Sequence, residues 1–475
     1  MLAENNIVIV GGGFAGTTLA QTLEKLLPMA HRLILVSDES YTTFNPMLAE
    51  VVGASVFPEH VTVPIRQMLR RTQFIMGTVQ DVNYAQGKLL CTTLAGLREI
   101  PFDHLVFAFG TRANLDLVPG MAEHALPLKL VGDALFIRNR VLRHLARMEL
   151  ESDPVLRRRL GHFMVVGGGF SGVEVAGELA DCLCSIRRFY PRVKHDELAV
   201  TLLHDTGQLL PELPASLGLA AARQMTTRGI RLKLGTRAAR FEADTVVLAN
   251  GETIEGSTVI CTVGTKPNPL VATLERNLGL ATQRGRIETN PDMSVRGMPG
   301  LWAIGDCARV ANAATDADSL PTAQFAVAQA RQLAHNLAGH LDQRECKPFS
   351  YQSKGAMASI GHMKGVAHVY GFSFSGLPAW LAWRALYLMR MPTLGRKLRL
   401  WAEWSWSMFF PTDITHLRFT RTSEADESPP EALPPDRPVA SGASATRIAT
   451  HDFSGIPRAP YATPAAPTPT GDQHA

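Results

Sequence analysis

One glycine pattern occurs twice in this chain, and it constrains the fold more than any other feature. Gly11, Gly13 and Gly16 stand in IVIVGGGFAGTTLA, and Gly167, Gly169 and Gly172 stand in FMVVGGGFSGVEVAGEL. Each copy follows a short apolar run, Ile7 to Val10 and Phe163 to Val166, and precedes helix-forming residues. That strand, turn, helix setting is the one in which the pattern holds a dinucleotide. The first glycine permits the tight reversal, the second lets backbone approach a pyrophosphate, and the third allows close helix to strand packing. A Gly-rich turn in an ordinary α/β sheet can explain one such match, but two in context imply two bound nucleotides.

At 475 residues, 46% hydrophobic and 19% charged, the chain is long enough for several cores. Its net charge of +4 is small for this length, so no nucleic acid partner is expected. The six cysteines are scattered, and the first strand starts almost at the N-terminus, leaving no room for a secretory leader. Free thiols in a reducing cytoplasm and no metal site are the expectation. No apolar run reaches the roughly 18 residues of a spanning helix.

The strand, Gly-rich turn, helix pattern of the N-terminal part is repeated after a charged connector over 133–160. In the first part the strands LILV and HLVFAFG follow, ending at Gly110; in the second, AVTLLH and STVICTVG follow, ending at Gly264. LWAIGDCARV then reads as a strand running into Gly305 and Asp306 at the start of a helix, returning to the first domain. The expected fold is α/β, with two Rossmann-like dinucleotide-binding domains. A discontinuous FAD domain (1–128 and 291–348) encloses an inserted NAD(P)H domain (129–290). A C-terminal amphipathic membrane-association region (349–420) and a disordered Pro-, Ala-, Ser- and Thr-rich tail (421–475) complete the chain.

Two nucleotide sites in one chain suit a flavoprotein in which a nicotinamide dinucleotide passes hydride to FAD. The first copy is the better FAD candidate, because Asp306 after Gly305 can offer a carboxylate to the ribitol hydroxyls. The residue expected to be acidic at the end of each second strand is Ser37 in the first copy and His204 in the second, with Asp38, Glu39 or Asp205 able to substitute by a short shift. Losing that carboxylate leaves NADPH open beside the favoured NADH.

The series GGGFAG, FNPMLAEV, LVFAFGT, GGGFSGVEVAGEL, CTVGTKPNP, AIGDCA, PTAQFA and AWLAWRALYL, in this order, resembles the two-dinucleotide-binding flavoprotein reductases. Within them it is similar to the type II NADH dehydrogenases, non-proton-pumping NADH:quinone oxidoreductases, over about residues 5 to 417. The resemblance implies cofactor contacts at Phe14, Ala15, Pro46, Gly110, Thr111, Gly264 and Ala323 beside the fingerprint residues. It also implies catalytic roles for Glu174, near nicotinamide and flavin, and for Gln324, at the flavin and quinone edge. The family's second glutamine, four residues after the first, is absent: Ala328 stands there and Gln329 follows.

The segment that faces the flavin in disulfide reductases reads FNPMLAE here and holds no cysteine, and Cys182 and Cys184 point apart on a helix. A dithiol acceptor is therefore disfavoured. Five of the six tryptophans lie between Trp380 and Trp406 with arginines interleaved, a composition suited to a bilayer interface, with Leu386, Leu388 and Leu400 dipping deeper. The expected partners are a membrane quinone and a lipid surface bound through residues 376–411. The resemblance adds a homodimer and a peripheral position on the cytoplasmic face of the cell membrane. The rival readings are a soluble reductase with a protein or small-molecule acceptor, and a nucleotide-binding redox sensor.

Overall fold

The computed structural model describes residues 5–416. The tail over 421–475 lies outside the described residues. Two parallel sheets carry the two fingerprints. In the first, strands run in the order Leu301–Ala303, His104–Phe107, Asn6–Val10, Arg32–Ser37, Gln73–Asn83, and the antiparallel Lys88–Thr93 and Gly96–Pro101 extend one edge. In the second the order is Leu126–Pro127, Thr258–Cys261, His162–Val166, Ala199–Leu203, Arg231–Lys233, all parallel. The central strands are continuous Val, Ile and Leu runs because both of their faces are covered, and Ile7, Val8 and Ile9 have no exposed surface.

The repetition extends to single hydrogen bonds. The amide of Gly11 donates to Val36 O and that of Gly167 to Leu203 O, both at 2.8 Å. The helix Phe14–Leu26 then buries Ala15, Gly16, Leu19, Ala20 and Leu23, one stripe at helical spacing. Its counterpart Phe170–Ile186 is buried on nearly every side, because a domain from the C-terminal part of the chain also covers it. That covering domain consists of the antiparallel strands Gly355–Ser359, Gly365–Val369 and Phe372–Ser375 followed by the helices Leu377–Arg390 and Leu394–Ser407.

Several expectations are corrected. The chain enters the second sheet at Leu126–Pro127, ahead of residue 129. It leaves much earlier than residue 291: Thr265–Pro267 pairs with Thr111–Ala113, and the helix Pro269–Leu278, capped by Asn268, buries Leu270, Val271 and Leu274 in the first domain's core. An amphipathic helix follows the core that its apolar face can fill, and sequence spacing did not disclose which core that was. Gly305 and Asp306 do not open a long helix. They form the single turn Gly305–Cys307, and the helix begins at Ala323, where Thr322 caps the Phe325 amide. The buried Gln329 holds that turn by accepting from the Gly305 amide at 2.7 Å.

The tryptophan-rich segment is divided between interior and surface. Trp380, Trp383, Trp404 and Leu400 are buried against the body, so Leu400 is not free to enter lipid; Trp401 and Trp406 are 59% and 62% exposed. Helical periodicity turns Trp383 and Trp404 inward, where they cover buried carboxyl groups, and leaves the opposite face apolar and open.

The tightest constraint in each nucleotide domain is the third glycine. A Cβ on Gly16 would lie 1.9 Å from Gly11 O, and one on Gly172 would lie 1.7 Å from Gly167 O, backbone atoms that cannot yield cheaply. Gly16→Ala and Gly172→Ala should each lower stability by about 3 kcal/mol or prevent folding. Thermal melts of either variant that matched the parent would contradict this packing account.

Candidate functional site

At the first turn, Gly11 has φ +116° and a Cβ there would meet Ala108 O at 2.4 Å. Gly13 is different: nothing lies within 4 Å of the Cβ position, and the helix it opens has no side-chain cap. The first-turn amides therefore face open space, as a pyrophosphate cradle requires. Phe14 stacks edge-on to Phe44, and Ala15 lies 3.4 Å from the Cβ position of Gly305, so the Asp306 turn sits directly against the first helix. Asp306 is raised by burial and held back by the positive charges of Lys129 and Arg286. Gly110, at φ +64°, lies just beyond the strand His104–Phe107, and Thr111 after it is reached by Lys129 Nζ at 3.5 Å. An open glycine, uncapped amides and a buried carboxyl fit FAD.

The second turn repeats this geometry. Gly167 has φ +117°, Gly169 has open space and an uncapped helix, and Gly264, at φ +74°, packs against Leu117. In both copies the residue in the ribose-acid position lies beneath the turn's extra glycine: Ser37 Oγ is 2.6 Å from the Cβ position of Gly12, and the His204 ring 2.6 Å from that of Gly168. The carboxylates stand one residue on. Asp38 pairs with Arg112 at 2.9 Å, and Asp205, 63% exposed at its side chain, lies 3.2 Å from His204 Nδ1.

A cavity of about 120 Å³ joins the two halves, lined by Asn45, Pro46, Leu48, Ala49, Leu128, Lys129, Ser171 and Glu174. It brings together Pro46 and Glu174, which lie far apart in sequence. Gln324 is not in its lining. The Gln324 amide donates to Gly355 O at 3.0 Å and accepts from the Tyr351 hydroxyl at 3.3 Å, which ties the start of the Ala323–Leu341 helix to the C-terminal sheet.

Glu174 is buried, and its Oε1 accepts from the Ser359 amide at 3.2 Å and the Trp383 indole at 3.0 Å, both donors from the C-terminal domain. Burial pushes its carboxyl up to about 8 despite those two hydrogen bonds, and the charge of Glu50 adds to the rise. Glu50 and Glu178 are buried beside it. Glu178 is raised to about 8 and Glu50 to about 7, in each case chiefly by burial. Glu50, Glu178, Lys129 and Ser171 were not singled out from sequence, and Arg384 was read only as one of the arginines interleaved among the C-terminal tryptophans. Glu50 in the apolar run PMLAEVV and Glu178, four residues after Glu174 in VEVAGEL, did carry a signal, since a carboxyl in an otherwise apolar segment must be paired or neutral if it is buried. All six cysteines are free, with Cys182 buried and Cys184 exposed, and no His, Cys, Asp and Glu cluster suited to a metal occurs among the described residues.

Comparison with known proteins agrees with this geometry. The model of the pyridine nucleotide-disulphide oxidoreductase family matches residues 5–330, and that of the NDH2 C-terminal domain matches residues 353–413. The chain is 27% identical over 420 residues to the type II NADH:quinone oxidoreductase Ndh of Mycobacterium tuberculosis, covering 86% of this chain and 88% of that protein. It is 28% identical to the demethylphylloquinone reductase NdbB of Synechocystis, covering 85% and 96%. The solved structure of NDH2 from Plasmodium falciparum in complex with NADH superposes with a TM-score of 0.81 at 18% identity, over 87% of this chain and all of that one.

Two outcomes are expected. Gly13→Ala meets no atom of the protein, so it should fold normally yet hold FAD about tenfold or more weakly, as flavin retention on a desalting column would show. Glu174 ionises near 4.5 when unfolded and near 8 when folded, so folding retains a proton and the stability from this group is lost as pH rises between those values. Glu174→Gln should flatten the decline of melting temperature between about pH 5 and 8, and a curve parallel to the parent's would refute the assignment.

Proposed function

The chain belongs to the pyridine nucleotide-disulphide oxidoreductase family, and on that premise we propose that it is an FAD-dependent NADH:quinone oxidoreductase of the type II, non-proton-pumping kind. The observation that carries this reading is the contact between Trp383 of the NDH2-type C-terminal domain and Glu174 of the second fingerprint helix. It couples the domain matched by the NDH2 C-terminal model to a carboxyl that lines the cavity between the nucleotide halves. FAD, when bound at the first turn, supplies the capacity to accept hydride from NADH and to pass two electrons onward.

The residues of the chain do the rest. The Gly13 and Gly169 turns offer uncapped helix amides to the two pyrophosphates, Asp306 offers its carboxyl to ribitol hydroxyls, and Asp205 stands where an acid favours the ribose of NADH over a 2′-phosphate. Pro46 shapes the cavity wall. Glu174, still protonated at neutral pH, can hand a proton to a reduced quinone oxygen. Gln324 serves as a positioning residue, tying the Ala323 helix to the C-terminal sheet. No cysteine lines the cavity, in keeping with an acceptor other than a dithiol.

The acceptor's site of supply is the bilayer. No helix among the described residues is long and apolar enough to cross a membrane. Leu381, Met389, Leu394, Leu398, Trp401 and Phe409 form exposed apolar surface on and just after the two C-terminal helices, with arginines between them. This surface, within residues 376–411, rests on lipid, on the cytoplasmic face where NADH is found. Deleting the whole segment would be a poor test, because it would strip Trp383 and Trp404 from buried glutamates.

The FAD-loaded protein is expected to oxidise NADH with a water-soluble quinone analogue and to sediment with liposomes containing anionic lipid. Trp401→Ser with Phe409→Ser should weaken liposome binding at least about tenfold while sparing turnover with the soluble analogue. Failure of the parent to reduce quinone would overturn the functional reading, and unchanged sedimentation of the variant would overturn the membrane surface.

A further inference from the structure

Lys129 lies where the two nucleotide domains meet. It follows the strand Leu126–Pro127 of the second sheet and precedes the helix Val131–Leu150. Asp133 Oδ2 accepts from the Lys129 amide at 2.9 Å and from the Leu130 amide at 2.8 Å, which fixes the backbone on its entry to that helix. The side chain then crosses to the first domain, where Nζ reaches Thr111 Oγ1 at 3.5 Å. Its charge also acts on the buried carboxyl of Asp306. A residue at the entry to the second domain thereby reaches two groups of the FAD site.

The surroundings of the ammonium point to more than a tie between domains. Lys129 is half-buried and lines the cavity together with Pro46, Ser171 and Glu174. Among the described residues it forms no ion pair, and its side chain has only the long contact to the neutral Thr111 hydroxyl. Glu174, in the same wall, makes its hydrogen bonds to Ser359 and Trp383 instead. Arg286, the second cation that acts on Asp306, does not line the cavity. A half-buried ammonium gives up part of its hydration, and here no carboxylate in contact compensates it. None of the first-turn glycines lines the cavity either, so this charge faces a part of the site away from the amides that cradle a pyrophosphate.

We propose that Lys129 supplies the positive charge that stabilises the flavin once it is reduced, and so sets how readily FAD accepts hydride. The inference rests on the functional reading above, in which FAD occupies the first turn. NADH loses a hydride and becomes NAD⁺, and the flavin that gains it gains one negative charge. Passage of two electrons to quinone, with two protons, returns the flavin to its neutral oxidised form. The sum is NADH, one proton and quinone giving NAD⁺ and quinol. Lys129 acts through its charge alone. In a site that excludes water, a fixed cation stabilises a developing negative charge far more than the same cation in bulk solvent.

The test uses the FAD-loaded, full-length protein and reads the flavin itself. In Lys129→Met the equilibrium for two-electron reduction of the bound flavin, measured against a redox dye, should become about tenfold less favourable, a fall of about 30 mV in midpoint potential. Bleaching of the flavin by NADH in stopped flow should slow in the same variant. Lys129→Arg keeps the charge and should keep the parent's potential, which a purely structural role for the lysine does not predict. Should Lys129→Met fail to fold, Lys129→Gln carries the same expectation. A neutral variant with the parent's potential would overturn the proposal, even if it retained FAD poorly, since that result belongs to a cation serving the pyrophosphate or only joining the domains. A parent whose potential responds as expected but which reduces no quinone would overturn the functional reading instead.

Discussion

Each nucleotide domain is organised by one contact, the approach of its fingerprint helix to the turn that precedes it. Gly16 lies so near Gly11 O, and Gly172 so near Gly167 O, that only a hydrogen fits. This approach fixes the angle of the helix on the sheet, and with it the direction of the uncapped amides at Gly13 and Gly169. Because the second helix starts at that angle, Glu174 just past its first turn reaches the cavity and Glu178 one turn later reaches Ser55. The chemistry of the site is thus a consequence of backbone packing several residues away.

The C-terminal domain completes what the nucleotide domains leave unfinished. The Ser359 amide and the Trp383 indole donate to Glu174, the Trp404 indole donates to Glu50, and the Arg384 charge acts on Glu50 and Glu178; these favour the ionised form, and burial outweighs them in all three carboxyls. Buried, all three are raised well above the ordinary carboxyl range. The same two helices turn their opposite face outward as leucine, methionine and tryptophan. One pair of amphipathic helices therefore both packs on the buried carboxyls and presents an exposed apolar surface, which is why its tryptophans divide between the two.

Much of the cofactor site was legible because it depends on local backbone. The glycine spacing, the strands before it and the positive-φ Gly110 and Gly264 after the strands His104–Phe107 and Thr258–Cys261 are short-range features of the backbone. Gly305 with Asp306 was legible as a pair but not as a turn, since its conformation is held by Gln329 from another element. The return to the first domain near residue 265 was missed for a similar reason. The Pro269–Leu278 helix has the periodicity of any amphipathic helix, and only the core it fills tells which domain owns it.

What the sequence determined by itself was the pair of nucleotide turns, the absence of a dithiol at the flavin-facing segment and the apolar, arginine-laced character of the C-terminal segment. These follow from residue type and spacing over a few positions. Only the tertiary structure decided that Glu50, Glu174 and Glu178 are all buried, that the charge of Arg384 acts on Glu50 and Glu178, and that Trp383 and Trp404 face inward while Trp401 and Trp406 face out. The reason is physical: a carboxyl's protonation depends on what removes water from it, and here the groups that do so come from some 180 to 350 residues away in the chain.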